Sequence, residues 1–217
     1  MKRLALIASL ALPLAACQQD AEEPSADPVS ELEAAATEEP ETGAGEAEEG
    51  EPKTEDGEKT EDGVTFSYSK LDFDACDQID AAEEGEGEWA IWECPAVQGV
   101  PYWVAAGDGR YDLDVGAEGE FETIGAFNDI APTMEWRSEG GKPFAVIFRY
   151  KDVSMESGGR TVLAVEKVGS GGEAGCRVAQ IEGSYPSANE EARKLADAEA
   201  RGFTCGSDEP TFLGNAR

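Results

Sequence analysis

The chain has 217 residues, 47 acidic against 17 basic and no histidine, giving a formal charge of −30 and a pI near 4.1. Such an excess of negative charge argues against nucleic acid and anionic lipid headgroups as partners. The missing histidine excludes Ser-His-Asp and Cys-His nucleophilic catalysis, imidazole acid–base chemistry and nearly all catalytic zinc sites, which leaves carboxylate chemistry or serine paired with lysine.

Met1, Lys2 and Arg3 form a basic n-region ahead of an apolar run from Leu4 to Ala16, the pattern of a secretory signal. A helix of that run's 13 residues spans roughly 20 Å, short of the roughly 30 Å hydrocarbon core, so a permanent membrane span is not expected. The ending Leu14-Ala15-Ala16-Cys17 resembles the lipobox of bacterial lipoprotein precursors. That resemblance implies that residues 1–16 are a signal peptide, that Cys17 is lipidated and becomes the first mature residue, and that several acyl chains anchor the protein to a membrane. Gln18 stands where an aspartate would resemble an inner-membrane retention signal, so the expected location is the periplasm, on the inner face of the outer membrane.

Residues 17–63 read as a tether. From Gln18 to Gly63 the chain is poor in large apolar residues and carries 18 acidic residues against two lysines, with Lys53-Thr54-Glu55-Asp56-Gly57 nearly repeated as Lys59-Thr60-Glu61-Asp62-Gly63. It cannot bury enough apolar surface to offset chain entropy, so disorder is expected, extended by self-repulsion and holding the rest of the chain off the membrane.

At Val64 the composition changes, and residues 64–217 read as a single α+β domain. Period-two alternation marks half-buried strands at Val64 to Ser69, where Val64, Phe66 and Tyr68 alternate with Thr65, Ser67 and Ser69, and at Arg110 to Val115. Further strands are expected at Glu88 to Cys94, Pro101 to Ala106, Thr133 to Arg137, Pro143 to Lys151, Thr161 to Val168 and Cys176 to Ile181. The turns Gly107-Asp108-Gly109, Glu139-Gly140-Gly141, Ser157-Gly158-Gly159 and Gly171-Gly172 are too short for parallel crossovers. The expectation is a twisted antiparallel sheet. One C-terminal helix packs on it: Ser187 and Glu190 form a capping box after Pro186, Ala188, Ala192, Leu195 and Ala196 make a buried stripe, Arg201-Gly202 closes the helix, and Phe203 docks beyond it.

Cys76, Cys94, Cys176 and Cys205 in an exported chain imply two disulfides with three possible connectivities, and proximity favours Cys76 with Cys94 and Cys176 with Cys205. A zinc site is disfavoured because no Cys-x-x-Cys spacing and no histidine accompany them. No cofactor is expected.

Ser67-Tyr68-Ser69-Lys70 matches the Ser-x-x-Lys signature of penicillin-interacting enzymes, but it sits on a strand and neither Ser-Asp-Asn nor Lys-Thr-Gly comes after it. Asp72, Asp74, Asp77 and Asp80, and Asp108, Asp112 and Asp114, invite a metal or glycosidase reading, yet they lack the EF-hand order and read as solvated strand faces. Trp89 and Trp103 fall in adjacent strands. With Cys94, Trp92 and Ala90 inward, Trp89 takes the opposite face and can join Trp103 in an exposed platform for a protein or glycan, unless a helix or loop covers both.

Phe127-Asn128, Glu135-Trp136-Arg137, Gly141 to Arg149, Val165 to Gly169, and the tail from Cys176 through Tyr185-Pro186-Ser187-Ala188-Asn189 and Ala196-Asp197 to Phe203-Thr204-Cys205 resemble an uncharacterised family of small exported proteins of alphaproteobacteria. The resemblance covers roughly Val64 to Pro210 and implies the domain boundary and paired cysteines, with no assigned activity. Two functions are then in play. One is a non-enzymatic, membrane-tethered periplasmic interaction module for a basic envelope protein or cell-wall glycan, of the type of small disulfide-bonded lipoproteins that inhibit lysozyme. The other is a carboxylate-dependent hydrolase acting on cell-wall sugars, which requires two acids roughly 5 to 10 Å apart in a cleft.

Overall fold

A computed structural model describes residues 63–217 apart from 84, 86, 156 and 157. The segments expected to be a signal peptide (1–16), a lipidated cysteine (Cys17) and a tether (17–63, all but its last residue) lie outside the described residues. In chain order the described elements are β1 (Val64–Lys70), a 3-10 turn (Phe73–Ala75), β2 (Asp77–Ala81), β3 (Trp89–Val97), β4 (Val100–Gly107), β5 (Arg110–Val115), β6 (Asn128–Ile130), β7 (Thr133–Glu139), β8 (Lys142–Asp152), β9 (Thr161–Lys167), β10 (Cys176–Glu182), α1 (Ala188–Glu199) and β11 (Thr211–Leu213).

The strands form two sheets rather than the one expected. The larger runs β1-β7-β8-β9-β10-β11, with β6 pairing the far end of β8; the smaller is the meander β2-β3-β4-β5. Pairing is antiparallel throughout except between β10 and β11, which run parallel because the chain returns through α1. The α+β class, antiparallel sheets and C-terminal helix are as the sequence predicts, and the short strands β2, β6 and β11 are additions.

Two cores fix the layering. Tyr102, Val104, Leu113 and Val115 of the smaller sheet pack on Trp136, Val146, Phe148, Tyr150 and Val162 of the larger. On the other face of the larger sheet, Ala145, Ile147, Leu163, Val165, Val178 and Ile181 meet α1. The larger sheet is thus a middle layer. That is why Ala145 to Phe148 reads as a continuous apolar run: both faces are covered. Each large aliphatic or aromatic side chain so enclosed contributes about 1.5–3 kcal/mol.

The helix begins at Ala188, but not through a capping box. Ser187 is left-handed, with φ 55° and ψ 35°, and its side chain caps nothing. Backbone turns take over instead: the Tyr185 N–H donates to the Glu182 carbonyl at 2.9 Å and the Ala188 N–H to the Tyr185 carbonyl at 3.1 Å, so a first-turn donor is already satisfied. Ala188, Ala192 and Ala196 are buried with Phe203, and Leu195 is half-buried, so small side chains let α1 lie close on the sheet.

Cys76 is bonded to Cys94 and Cys176 to Cys205, the pairing favoured by proximity. The first bridge ties the 3-10 turn to β3; the second ties the start of β10 to the chain beyond α1. The two sheets also meet where β5 and β9 end. There the Gly169 N–H donates to the Val115 carbonyl at 2.8 Å, and a Cβ on Gly116, whose φ is 96°, would collide with the Gly169 backbone. That approach requires glycine.

Candidate functional site

On β5 the structure departs from the alternation. Asp112 and Asp114 point away from Leu113 and Val115, yet they are only 1% and 6% exposed, so the solvated acidic face expected of them is wrong. The segment 116–124 folds back over both. Its Glu122 N–H donates to Asp112 Oδ2 at 2.6 Å and its Gly119 N–H to Asp114 Oδ2 at 3.0 Å. Asp72, Asp74, Asp77, Asp80 and Asp108 do stand exposed, as expected.

Beneath Asp112 lies Arg177 of β10. Its Nε donates to Glu166 Oε2 at 2.8 Å, its Nη2 donates to the Tyr150 hydroxyl at 3.1 Å and to the Glu122 carbonyl at 3.0 Å, and Asp112 Oδ1 is 3.5 Å away. Tyr150 in turn donates to Asp112 Oδ1 at 3.2 Å. Burial pushes the Glu166 carboxyl up to about 8 and raises Asp112, both against the opposing pull of Arg177. Burial pulls Arg177 down, but Tyr150, Glu166 and Asp112 outweigh it and hold the guanidinium above its ordinary value. One cation between two enclosed acids, with its Nε and Nη2 donors committed, joins β5 to β8, β9 and β10. Sequence reasoning missed it, although Glu166 and Arg177 each adjoin an apolar run, Val162 to Val165 and Val178 to Ala179.

Asp114 is different because it opens on space. It lines a hollow of about 330 Å³ on the outer face of the smaller sheet, floored by Ile91, Ala105 and Gly107, walled by Trp89 and Phe121, and rimmed by Arg110 and Glu118. Ala105 and Gly107 contribute little or no side chain to that lining. Burial, then the charge of Asp112 and of Glu118 and Glu122, pushes the Asp114 carboxyl up to about 7 against the pull of the Gly119 N–H. Its Oδ1 has no hydrogen-bond partner among the described residues. A second hollow, about 380 Å³, shares Trp89, Gly107 and Arg110 and extends toward Trp92 and Tyr111.

Trp89 and Trp103 occupy the same face of the smaller sheet, Trp89 opposite Gly107 and Trp103 opposite Glu93 and Asp114. Four ladder positions part them, roughly 13 Å at the usual strand rise. Trp89 is 39% exposed and borders both hollows; Trp103 is half-buried and borders neither. The helix lies on the other sheet and covers neither ring.

The Ser-x-x-Lys pair is not assembled. Ser67 is buried and accepts a 2.6 Å hydrogen bond from the Gln98 amide, while Lys70, three residues on and therefore on the other face of β1, is exposed. Among the described residues no three His, Cys, Asp or Glu side chains gather to hold a metal, and no helix is long and apolar enough to cross a membrane.

The fold and site thus define a disulfide-bonded α+β domain of three layers, with an aromatic-walled hollow around one buried acid. No protein-family model matches the chain, nor does any curated protein or solved structure.

Proposed function

We propose that the chain is a lipid-anchored periplasmic interaction module that holds a basic envelope protein on the free face of its smaller sheet. The observation that carries this reading is the hollow itself, which exposed Trp89 and the buried acid Asp114 both line, on a face that α1 does not cover. Aromatic residues in such positions supply much of the binding energy of protein interfaces. Residues 64–217 carry 29 acidic against 13 basic side chains, which favours a cationic partner and speeds its encounter. The two disulfides suit the oxidising compartment to which the Leu14-Ala15-Ala16-Cys17 ending directs the chain. A cell-wall glycan stacking on Trp89 is the alternative ligand of the same face. The full chain should retain a basic protein such as lysozyme, less strongly as salt rises. Retention of neutral glycans alone, indifferent to salt, would replace the protein partner with the sugar.

A second reading, a hydrolase of cell-wall sugars, draws on Asp114 and Glu118 bordering one hollow, with Asp114 holding its proton near neutral pH. There Asp114 would protonate the leaving oxygen and Glu118 would serve as nucleophile or base. Release of soluble fragments from purified peptidoglycan, abolished by Asp114→Asn, is its test; no release ends it.

A further inference from the structure

We infer that the hollow beside Asp114 is a socket for a single arginine or lysine side chain of the basic partner, an inference that rests on the interaction-module reading and gives it an address. Three features meet there. The space is about 330 Å³, at the small end of ligand sites, which fits one side chain better than an oligosaccharide. Its walls are Trp89 and Phe121 over a floor of Ile91, Ala105 and Gly107, surfaces that take the methylene stem of a long cationic side chain and stack on its head. Its only deeply buried polar group is the carboxyl of Asp114, 6% exposed, with Oδ1 unbonded among the described residues and Oδ2 fixed by the Gly119 N–H at 3.0 Å.

The surrounding charge has the matching sign. Asp112 on the same strand and Glu118 and Glu122 from the covering segment all act on Asp114 as negative neighbours. Among the described residues Arg110 at the rim is the one cation lining the hollow, and it sits 3.6 Å from Asp108, while Arg177 is engaged by Glu166 and Asp112. An incoming guanidinium or ammonium therefore meets uncompensated acid. It also draws the Asp114 carboxyl down from about 7, so seating the cation expels a proton. Binding should strengthen as pH rises toward 7 and level off above it.

The test titrates the full chain with the blocked peptide Gly-Gly-Arg-Gly-Gly and with its citrulline counterpart, a neutral isostere, following the backbone amides of Trp89, Gly107 and Gly119 by nuclear magnetic resonance. The arginine peptide should bind about tenfold tighter than the citrulline peptide at pH 8, the scale of one charge-assisted hydrogen bond, and that advantage should shrink at pH 5.5. Asp114→Asn keeps the oxygen that accepts from Gly119 and should abolish the discrimination; Ala105→Leu, which leaves every charge in place, should block both peptides. Equal binding of the two peptides, or discrimination that survives both substitutions, overturns the socket. If the full chain still retains a basic protein in that case, the interaction-module reading stands and its contact surface lies elsewhere. If the full chain retains no basic protein and the hollow instead takes a neutral sugar, both fail.

Discussion

Arg137 on β7 grips Asp197 on α1 with two arms of its guanidinium, Nε to Oδ1 at 2.9 Å and Nη2 to Oδ2 at 2.5 Å. Its third arm donates to Glu135 Oε1 at 3.1 Å, and Glu135 also accepts from Arg193 of the helix and from the Tyr68 hydroxyl. Alanine packing alone would let α1 slide along the sheet; this planar fork sets its position. Glu135-Trp136-Arg137 and Ala196-Asp197 meet at this clamp.

Removing Asp197 leaves a guanidinium that is only 2% exposed with Glu135 as its one remaining acid among the described residues. Asp197→Ala should therefore lower unfolding free energy by about 3 kcal/mol, near the lower end of the range for breaking a buried pair because Asp197 itself is partly solvated. Urea unfolding followed by circular dichroism measures this. Replacing both partners, Arg137→Met with Asp197→Leu, should recover most of the loss; a loss as large as that of the single change would show that the pair contributes more than its burial costs.

Removing the Cys176–Cys205 bridge by paired serine substitution should cost about 2–5 kcal/mol. Because the bridge fastens the chain just beyond α1, hydrogen exchange should speed first in the helix and only later in β8. Uniform acceleration across both would contradict that placement.

Stability should fall as pH rises through the acid-to-neutral range. Unfolded, Asp114 releases its proton near 3.8; folded, it holds it to about 7. Between those values the native state binds a proton that the unfolded chain has lost, so the contribution is complete below pH 4 and is lost on the way to 7, with a limiting slope of about 1.4 kcal/mol per pH unit. Glu166, shifted up to about 8, acts in the same direction. Asp114→Asn should flatten the profile and be more stable than the parent chain at pH 8. An unchanged slope would mean that Asp114 is already ionised in the folded protein at low pH.

In cells the protein should partition into the detergent phase, and Cys17→Ser should release it or leave the precursor uncut. Detergent-phase partitioning of a normally processed mutant would remove Cys17 as the anchor.

Trp89→Ala should weaken capture of a basic protein by at least about 1 kcal/mol, and Trp103→Ala by less, since only the first ring borders the hollows. Surface plasmon resonance on the full chain compares them. The reverse ranking would move the contact toward Glu93 and Trp103.

Where burial follows local pattern, the sequence was legible: alternation located β1 and β5, long apolar runs located β8 and β9, and the glycine pairs located their turns. The short strands escaped because they carry little signal. β2 is Asp77-Gln78-Ile79-Asp80-Ala81 with four of its five residues exposed, and β6 and β11 have three residues each. Division into two sheets was hidden because alternation reports that a strand has an inner face, not which partner covers it. The burial of Asp112 and Asp114 depends on residues 116–124, a loop whose path no local rule predicts. The capping box at Ser187 failed for a related reason: the turn that leads into the helix holds Ser187 left-handed, at φ 55° and ψ 35°, instead of in the extended conformation from which a serine oxygen reaches the second or third N–H of a helix. What could have been read is the pair of charges that fall inside the ends of β9 and β10, Glu166 and Arg177, because an acid and an arginine next to apolar runs of neighbouring strands have few ways to be buried except by finding each other.

The disulfides join consecutive cysteines, Cys76 to Cys94 and then Cys176 to Cys205, closing spans of 18 and 29 residues that do not overlap. A chain emerging amino end first presents each thiol's correct partner as the next to appear. An oxidant that simply joins cysteines in order of arrival would make both bonds correctly, with no isomerase to undo mistakes. Cys17 is the one residue that could spoil this order, since as a free thiol it would arrive first and capture Cys76. Acylation of Cys17, as proposed, takes it out of the sequence of events, so the modification that anchors the protein would also leave four thiols that can be paired simply by counting.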